Sequence, residues 1–388
     1  MFKFFTAIIF SVMTIFGTAS AAAKLPVITA DSAIVVEAST GRVIYEKAAD
    51  VRRPPASMTK MMTCILGLEN LMPTEEIYIS SSAAAADYPE LELQTGDVLT
   101  AEELLRGMML VSDNGGAIAI AQAVSGDVAS FADYMNNKAY EIGCRDTNFV
   151  NPNGLPNDNH FSTARDMALI AMYCMNNDDF RDIVSTRRET IHWINPSNIT
   201  VKAENSNKLL GNYKGANGIK TGWTRAAGGC LAASAKRGEV ELIAIIMHAK
   251  DVDTRFNDAK LLLDYGFERI STIYEINKDR VDKQVFVRGG EQATLDVGPA
   301  EDLTFPLLDD EDEENFSVAY DLPRFVDAEI KTGDVIGSAI LKYNGKKVAS
   351  VPVVAREDVA AGFSLASKII GLTEPLIAVA QDFFPFLA

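Results

Sequence analysis

Ser57-Met58-Thr59-Lys60 sets a hydroxyl and a primary amine three positions apart. On a helix, that spacing puts both side chains on one face. A neutral amine beside a serine hydroxyl can take its proton and release a nucleophile for attack on a carbonyl. The prolines of Arg52-Arg53-Pro54-Pro55-Ala56 stop a helix from running backwards, so the helix is predicted to start near Ser57. The free N–H groups and positive dipole at such a start disfavour an ammonium. A second hydroxyl and a carboxamide stand at Ser112-Asp113-Asn114. A second amine stands at Lys220-Thr221-Gly222, after the glycine-rich Gly215-Ala216-Asn217-Gly218. Acyl transfer needs a nucleophile, a base, a proton path to the leaving amine and an oxyanion site. Ser57 and Lys60 supply the first two. Ser112 can relay the proton, Asn114 can bond Lys60 and a substrate amide, and Lys220 adds positive charge that further disfavours the Lys60 ammonium and attracts an anionic substrate.

S-x-x-K, S-D-N and K-T-G in this order are the signature of the serine penicillin-recognising enzymes. From about Ala30 onward the chain resembles the low-molecular-mass penicillin-binding proteins, specifically the D-alanyl-D-alanine carboxypeptidases. The resemblance implies a serine-type enzyme that removes the terminal D-alanine from peptidoglycan pentapeptides through an acyl-enzyme. It implies acylation by β-lactams and no metal or organic cofactor. It makes the backbone N–H groups of Ser57 and Trp223 the oxyanion donors; some family members carry histidine at the Trp223 position. Arg255 is expected to bind the terminal carboxylate with help from Thr221, a fork suited to that anion. The alternative for Arg255 is a surface residue among Asp251, Asp253 and Asp258.

Three rival readings share part of this pattern. A class A β-lactamase is a single domain that uses an added glutamate for deacylation. Here residues 151–166 contain no glutamate, and about a hundred residues follow the catalytic part. A cell-wall D,D-endopeptidase shares the motifs. A non-catalytic envelope scaffold has no need for every motif residue to be intact.

The 388 residues are 48% hydrophobic, enough for two cored domains, and the net charge of −17 argues against nucleic acid as a partner. Lys3, the apolar stretch from Phe4 to Phe16 and Ala19-Ser20-Ala21 read as a cleaved signal peptide, 1–21. Export to the periplasmic face of a bacterial inner membrane is the expectation. Cys64, Cys144, Cys174 and Cys230 match no zinc or C-x-x-C spacing; Cys64 and Cys174 sit in apolar helical patterns and read as buried free thiols, with pairing left open in an exported chain. His160, His192 and His248 form no helical ligand pair, so a zinc peptidase is not supported.

These residues need elements to hold them. A hairpin is predicted for residues 33–46 around Ser39-Thr40-Gly41. The helix from Met58 to Leu68 is apolar nearly all round and reads as buried. Thr100-Ala101-Glu102-Glu103 reads as a capping box for a helix that ends at Ser112. An alanine-rich helix to Val124 and another from Phe131 to Gly143 follow. Asn151 to Pro156 is a loop, and Ser162 or Thr163 can cap a helix from Ala164 to Met175. His160 reads as a loop or core hydrogen-bonding residue. Lys220 to Thr224 is expected as the edge strand lining the site. Residues 229–235 and 241–248 form the next hairpin, and Arg255 to Leu263 a closing helix. The sum for 22–275 is α+β: a penicillin-binding-protein or β-lactamase-like antiparallel sheet with a helical subdomain.

Short strands with turns between them, 276–357, read as a small all-β domain. Within it Lys331-Thr332-Gly333 repeats K-T-G as a turn with no companion motif. Asp309 to Glu314 reads as a solvated acidic loop rather than a calcium site. Residues 358–388 are expected to include a C-terminal amphipathic helix, with Pro375 interrupting it and Phe383, Phe384 and Phe386 anchoring it peripherally in the membrane interface.

Overall fold

The computed structural model describes residues 25–279, 283–362 and 364. The expected signal segment, 1–21, lies outside the described residues, as does the expected amphipathic helix apart from residue 364.

The first unit opens with the hairpin β1 (Ser32–Glu37) and β2 (Val43–Lys47). A 3-10 turn, Ala56–Thr59, leads into α1 (Lys60–Asn70). β3 (Glu76–Tyr78), α2 (Ser81–Ala84) and β4 (Val98–Thr100) precede the helical run. That run comprises α3 (Ala101–Val111), α4 (Asn114–Ser125), α5 (Val128–Ile142), α6 (Ala164–Met175) and α7 (Asp178–Ser185). β5 (Arg188–His192) and β6 (Thr200–Glu204) form a small ribbon. β7 (Ala216–Thr224), β8 (Gly228–Arg237), β9 (Val240–Ala249) and α8 (Thr254–Arg269) complete the unit.

One antiparallel sheet, order β2-β1-β9-β8-β7, divides this unit. Period-2 alternation gives each strand two apolar faces. Ile34, Val36, Ile243 and Ile245 pack with the helices, whereas Ala33, Val35, Leu242 and Ala244 pack against α8. Buried α1 carries Met61, Met62, Cys64, Ile65 and Leu66 into the helical core. β7 is the expected edge strand.

Caps explain several helix starts. Thr100 Oγ1 accepts from Glu103 N at 3.2 Å, but the reciprocal half of the predicted box is not made; the Glu103 carboxylate turns to His192 instead. Thr163, not Ser162, caps α6 by accepting from Asp166 N. α8 runs past the expected Leu263 to Arg269, because apolar burial continues through Gly266 and nothing earlier stops it.

β10 (Ile270–Ile276), β11 (Lys283–Arg288), β12 (Thr294–Pro299), β13 (Leu303–Leu308), β14 (Phe316–Asp321), β15 (Phe325–Asp327), β16 (Val335–Tyr343) and β17 (Lys346–Ala355) make the second unit. Six form a sheet in the order β14-β16-β17-β12-β11-β15, and β10 pairs with β13. A boundary after residue 275 therefore falls inside β10. At the other end, Val359 bridges Ile330 and is 1% exposed, and Ala361 bridges Gly290. Residues 358–361 thus pair with the β unit rather than starting a separate segment.

The acidic stretch is not simply a solvated loop. Arg269 Nε pairs with Asp309 Oδ1 at 2.8 Å, and Arg42 pairs with Glu311 and with the carbonyl of Pro306. These arginines of the first unit claim carboxylates that sequence reading left to water. Lys331-Thr332-Gly333 is a turn closed by Thr332 on Asp358 at 2.8 Å. All four cysteines are buried and free.

Candidate active site

Ser57 stands on the 3-10 turn, and Lys60 is the first residue of α1. Ala56, just before Ser57, has φ +49°, a left-handed conformation that costs an alanine about 1–2 kcal/mol. The surroundings hold it there. Gly154, at φ +85°, lies so close that a Cβ would sit 2.0 Å from Ala56 O. On the other side, a Cβ on Gly222 would sit 3.0 Å from Ser57 N, so β7 abuts the turn directly.

Lys60 Nζ is wholly buried. It lies 3.2 Å from Ser57 Oγ, 2.7 Å from Asn114 Oδ1 and 2.9 Å from the carbonyl of Asn153. Burial pushes its pKa down to about 7, with the charge of Asp113 opposing. Burial, rather than the helix dipole or Lys220, is therefore the main cause of the neutral amine. A neutral amine has two N–H donors and one lone pair. Asn114 Oδ1 and the Asn153 carbonyl accept the two donors, and the lone pair is left for the Ser57 hydroxyl.

The S-D-N residues form a junction between helices. Ser112 ends α3 at φ +68°, and Asp113 caps α4 by accepting from Gly116 N at 2.6 Å. The other Asp113 oxygen accepts from Leu91 N at 2.9 Å. Asn114 Nδ2 donates to the Asp87 carbonyl at 2.7 Å, which fixes the amide with its oxygen toward Lys60. The loop holding Asp87 and Leu91 went unnoticed in the sequence.

Lys220 and Thr221 lie on β7, both buried. Burial first, then the charges of Lys60 and Arg255, pushes the Lys220 pKa well down. Among the described residues neither lysine has an ion-pair partner, so two ammoniums here repel and their titrations couple. Thr221 Oγ1 lies 2.6 Å from Ser206 Oγ. Trp223 is half exposed at the cleft.

Arg255 is 6% exposed, not a surface residue. Its Nη1 donates to the carbonyls of Gly222 at 2.6 Å and Cys230 at 3.2 Å, and its Nε is buried without a partner. The nearby acids are engaged elsewhere: Asp253 with Lys208, Asp258 with Thr29 and Ala30, and Asp251 with Thr254. Ser57, Ser112, Asn114, Thr221, Trp223 and Arg255 line one cleft of about 520 Å3. Tyr88, Glu90 and Ser206 share its wall and were not foreseen. Buried His160 reaches Thr59.

Residues 18–251 match a family model described as D-alanyl-D-alanine carboxypeptidase, and residues 271–361 match one described as penicillin-binding protein 5, C-terminal domain. The chain is 31% identical over 340 residues to the D-alanyl-D-alanine carboxypeptidase DacF of Bacillus subtilis, covering 86% of this chain and 87% of that one. It is 30% identical over 355 residues to DacC of Escherichia coli, also a D-alanyl-D-alanine carboxypeptidase, covering 87% and 86%. Its fold is similar to that of penicillin binding protein 5 from Haemophilus influenzae, with a TM-score of 0.69 at 28% identity, covering 87% of this chain and 99% of that one.

Proposed function

The chain belongs to the D-alanyl-D-alanine carboxypeptidase family of serine peptidases, and from that premise we propose the residue roles that carry its chemistry. The protein is a hydrolase that removes the terminal D-alanine from peptides ending in D-alanyl-D-alanine. The observation that carries the mechanism is the Lys60 amine: buried, near pKa 7 and 3.2 Å from Ser57 Oγ.

Neutral Lys60 takes the Ser57 proton as Oγ attacks the carbonyl carbon of the penultimate D-alanine. The N–H groups of Ser57 and Trp223 receive the oxyanion; the close approach of Gly222 to the turn supports this pairing. Arg255, with its unpartnered Nε, and Thr221 receive the terminal carboxylate. Lys220, whose charged form burial disfavours, donates to the Thr221 carbonyl beside the cleft, and Asn114 orients Lys60. As the C–N bond breaks, the proton held at Lys60 passes through Ser112 to the departing D-alanine amine. Water then attacks the acyl-enzyme ester, Lys60 taking its proton, and Ser57 is regenerated. A β-lactam acylates Ser57 in the same way, but its amine stays tethered.

The physiological substrate in this reading is the peptidoglycan pentapeptide. The signal-like stretch at 1–21 and the amphipathic pattern after residue 363 support export and peripheral attachment to the periplasmic face of the inner membrane. In this reading the unit that ends with α8 is the catalytic domain, and the β domain links it to the attachment segment.

Mass mapping of a penicillin adduct tests the assignment. The adduct is expected on Ser57 and absent from Ser57→Ala. An adduct on any other serine overturns it.

A further inference from the structure

Thr59 and His160 have no part in the chemistry above, yet they meet beneath the nucleophile. His160 is 2% exposed and Thr59 is fully buried, and the two are 101 positions apart. His160 Nδ1 accepts from Val150 N at 3.1 Å, so the ring proton resides on Nε2. Nε2 lies 2.8 Å from Thr59 Oγ1 and donates to it. Thr59 Oγ1 then has its own proton for the carbonyl of Ala56, 2.8 Å away. A relay of donors thus runs from Val150 through His160 and Thr59 to Ala56. It ends on the residue held at φ +49° immediately before Ser57.

The direction of this relay matters. A hydroxyl that receives a hydrogen bond is polarised and donates a stronger one. The Thr59 bond closes the turn across its own residues, from Thr59 back to Ala56, and so sets where Ser57 Oγ points. Without the His160 donor, Thr59 Oγ1 is free to rotate, and the left-handed Ala56 loses a restraint. His160 itself is no base for the reaction. Both ring nitrogens are engaged and the ring does not line the cleft. Burial also pushes its pKa down to about 4, which keeps the ring neutral and the relay intact near neutral pH.

We propose that His160 is a positioning residue for acylation: acting through Thr59, it holds the Ala56–Thr59 turn so that Ser57 Oγ faces Lys60. This rests on Ser57 as nucleophile, which the adduct mapping above tests separately.

Two substitutions split the two ends of the imidazole. In His160→Gln the side-chain amide can stand where Nε2 stood and donate to Thr59. In His160→Asn the shorter side chain can accept from Val150 N but falls short of Thr59. Stopped-flow acylation of the full chain by a fluorescent penicillin separates the binding constant from the acylation step. His160→Asn is expected to slow acylation by about 10–100-fold, the scale of a small misplacement of a reacting group, with binding changed less than about 3-fold. His160→Gln is expected to recover most of the rate. In a Thr59→Val background, His160→Asn is expected to add no further loss. Equal losses for Asn and Gln, a loss confined to binding, or full additivity with Thr59→Val overturns the proposal. If His160→Asn does not fold, Thr59→Val alone decides. A folded Thr59→Val that acylates at the parental rate overturns it, and a slowed acylation step with unchanged binding supports it.

Discussion

Asn114→Asp should make the enzyme less active at neutral pH without making it less stable. Asn114 Oδ1 is 2.7 Å from Lys60 Nζ, so the substitution sets a carboxylate against a buried amine whose pKa is now about 7. An opposite charge at this range shifts a pKa by about 1–3 units toward the charged form. Lys60 would then titrate at roughly 8–10. The neutral form is the base, so acylation rises as pH rises through the Lys60 pKa. At pH 7 the parental enzyme has about half its Lys60 neutral, and the variant between roughly 10% and 0.1%, a loss of about 5–500-fold. Raising the pH should restore most of that loss. Stability behaves differently. A lysine whose folded pKa lies below its unfolded value of 10.5 loses stability as pH falls from 10.5 to 7. The new carboxylate relieves part of that penalty, which offsets the lost Asn114 bond to the Asp87 carbonyl. The assay is stopped-flow acylation by a fluorescent penicillin from pH 5.5 to 10.5, with thermal melts alongside. A variant midpoint that stays near 7 with only a lowered plateau would refute the reasoning, since Asn114 would then not be setting the charge state of Lys60.

Arg255→Ala should lower kcat/KM on peptides ending in D-alanyl-D-alanine by about 10²-fold, the scale of a buried charged hydrogen bond, and lower penicillin acylation much less; equal losses count against its carboxylate role. Gly154→Ala puts a Cβ 2.0 Å from Ala56 O at φ +85°, so both melting temperature and acylation should fall, with a destabilisation of about 2 kcal/mol or more in a melt. Ending the chain after Gly362 should release it from the membrane fraction with penicillin labelling intact; a truncated protein that stays with membranes refutes the anchor. Ending it after Glu357 also removes Val359, 1% exposed, and should lower the melting temperature of the β unit.

The sheet and its helices were legible because alternation and helical period are local properties. Residues 33–36 and 242–247 alternate between two cores, and α1 is buried on every side from Lys60 to Gly67. The groups proposed as catalytic could be named from the sequence because each motif sits within one short stretch. What stayed hidden depends on partners distant in sequence. Gly154 and His160 meet the Ser57 turn across about a hundred residues, and no pattern near residue 57 signals a left-handed Ala56. The carboxylates of Asp309 and Glu311 look solvated until Arg269 and Arg42 arrive from the other unit. The cause of the Lys60 shift was misjudged for the same reason: neighbouring charges can be named from motifs, whereas burial is a property of the packed whole.

An open strand edge beside a cleft invites another copy of the protein to extend the sheet, a route to aggregation. β7 is such an edge, yet several of its carbonyls are occupied by side chains. Asn207 Nδ2 takes that of Gly218 at 2.8 Å, Lys220 Nζ that of Thr221 at 3.1 Å, and Arg255 Nη1 that of Gly222. Carbonyls alternate in direction along a strand, so of the neighbouring Thr221 and Gly222 carbonyls one faces the open edge, and its occupation interrupts the row of acceptors that a long foreign strand would need. A short peptide that docks by its reacting carbonyl and terminal carboxylate is less affected. Groups proposed to serve the cleft thus also make the strand beside it a poorer template for crowded copies of the chain.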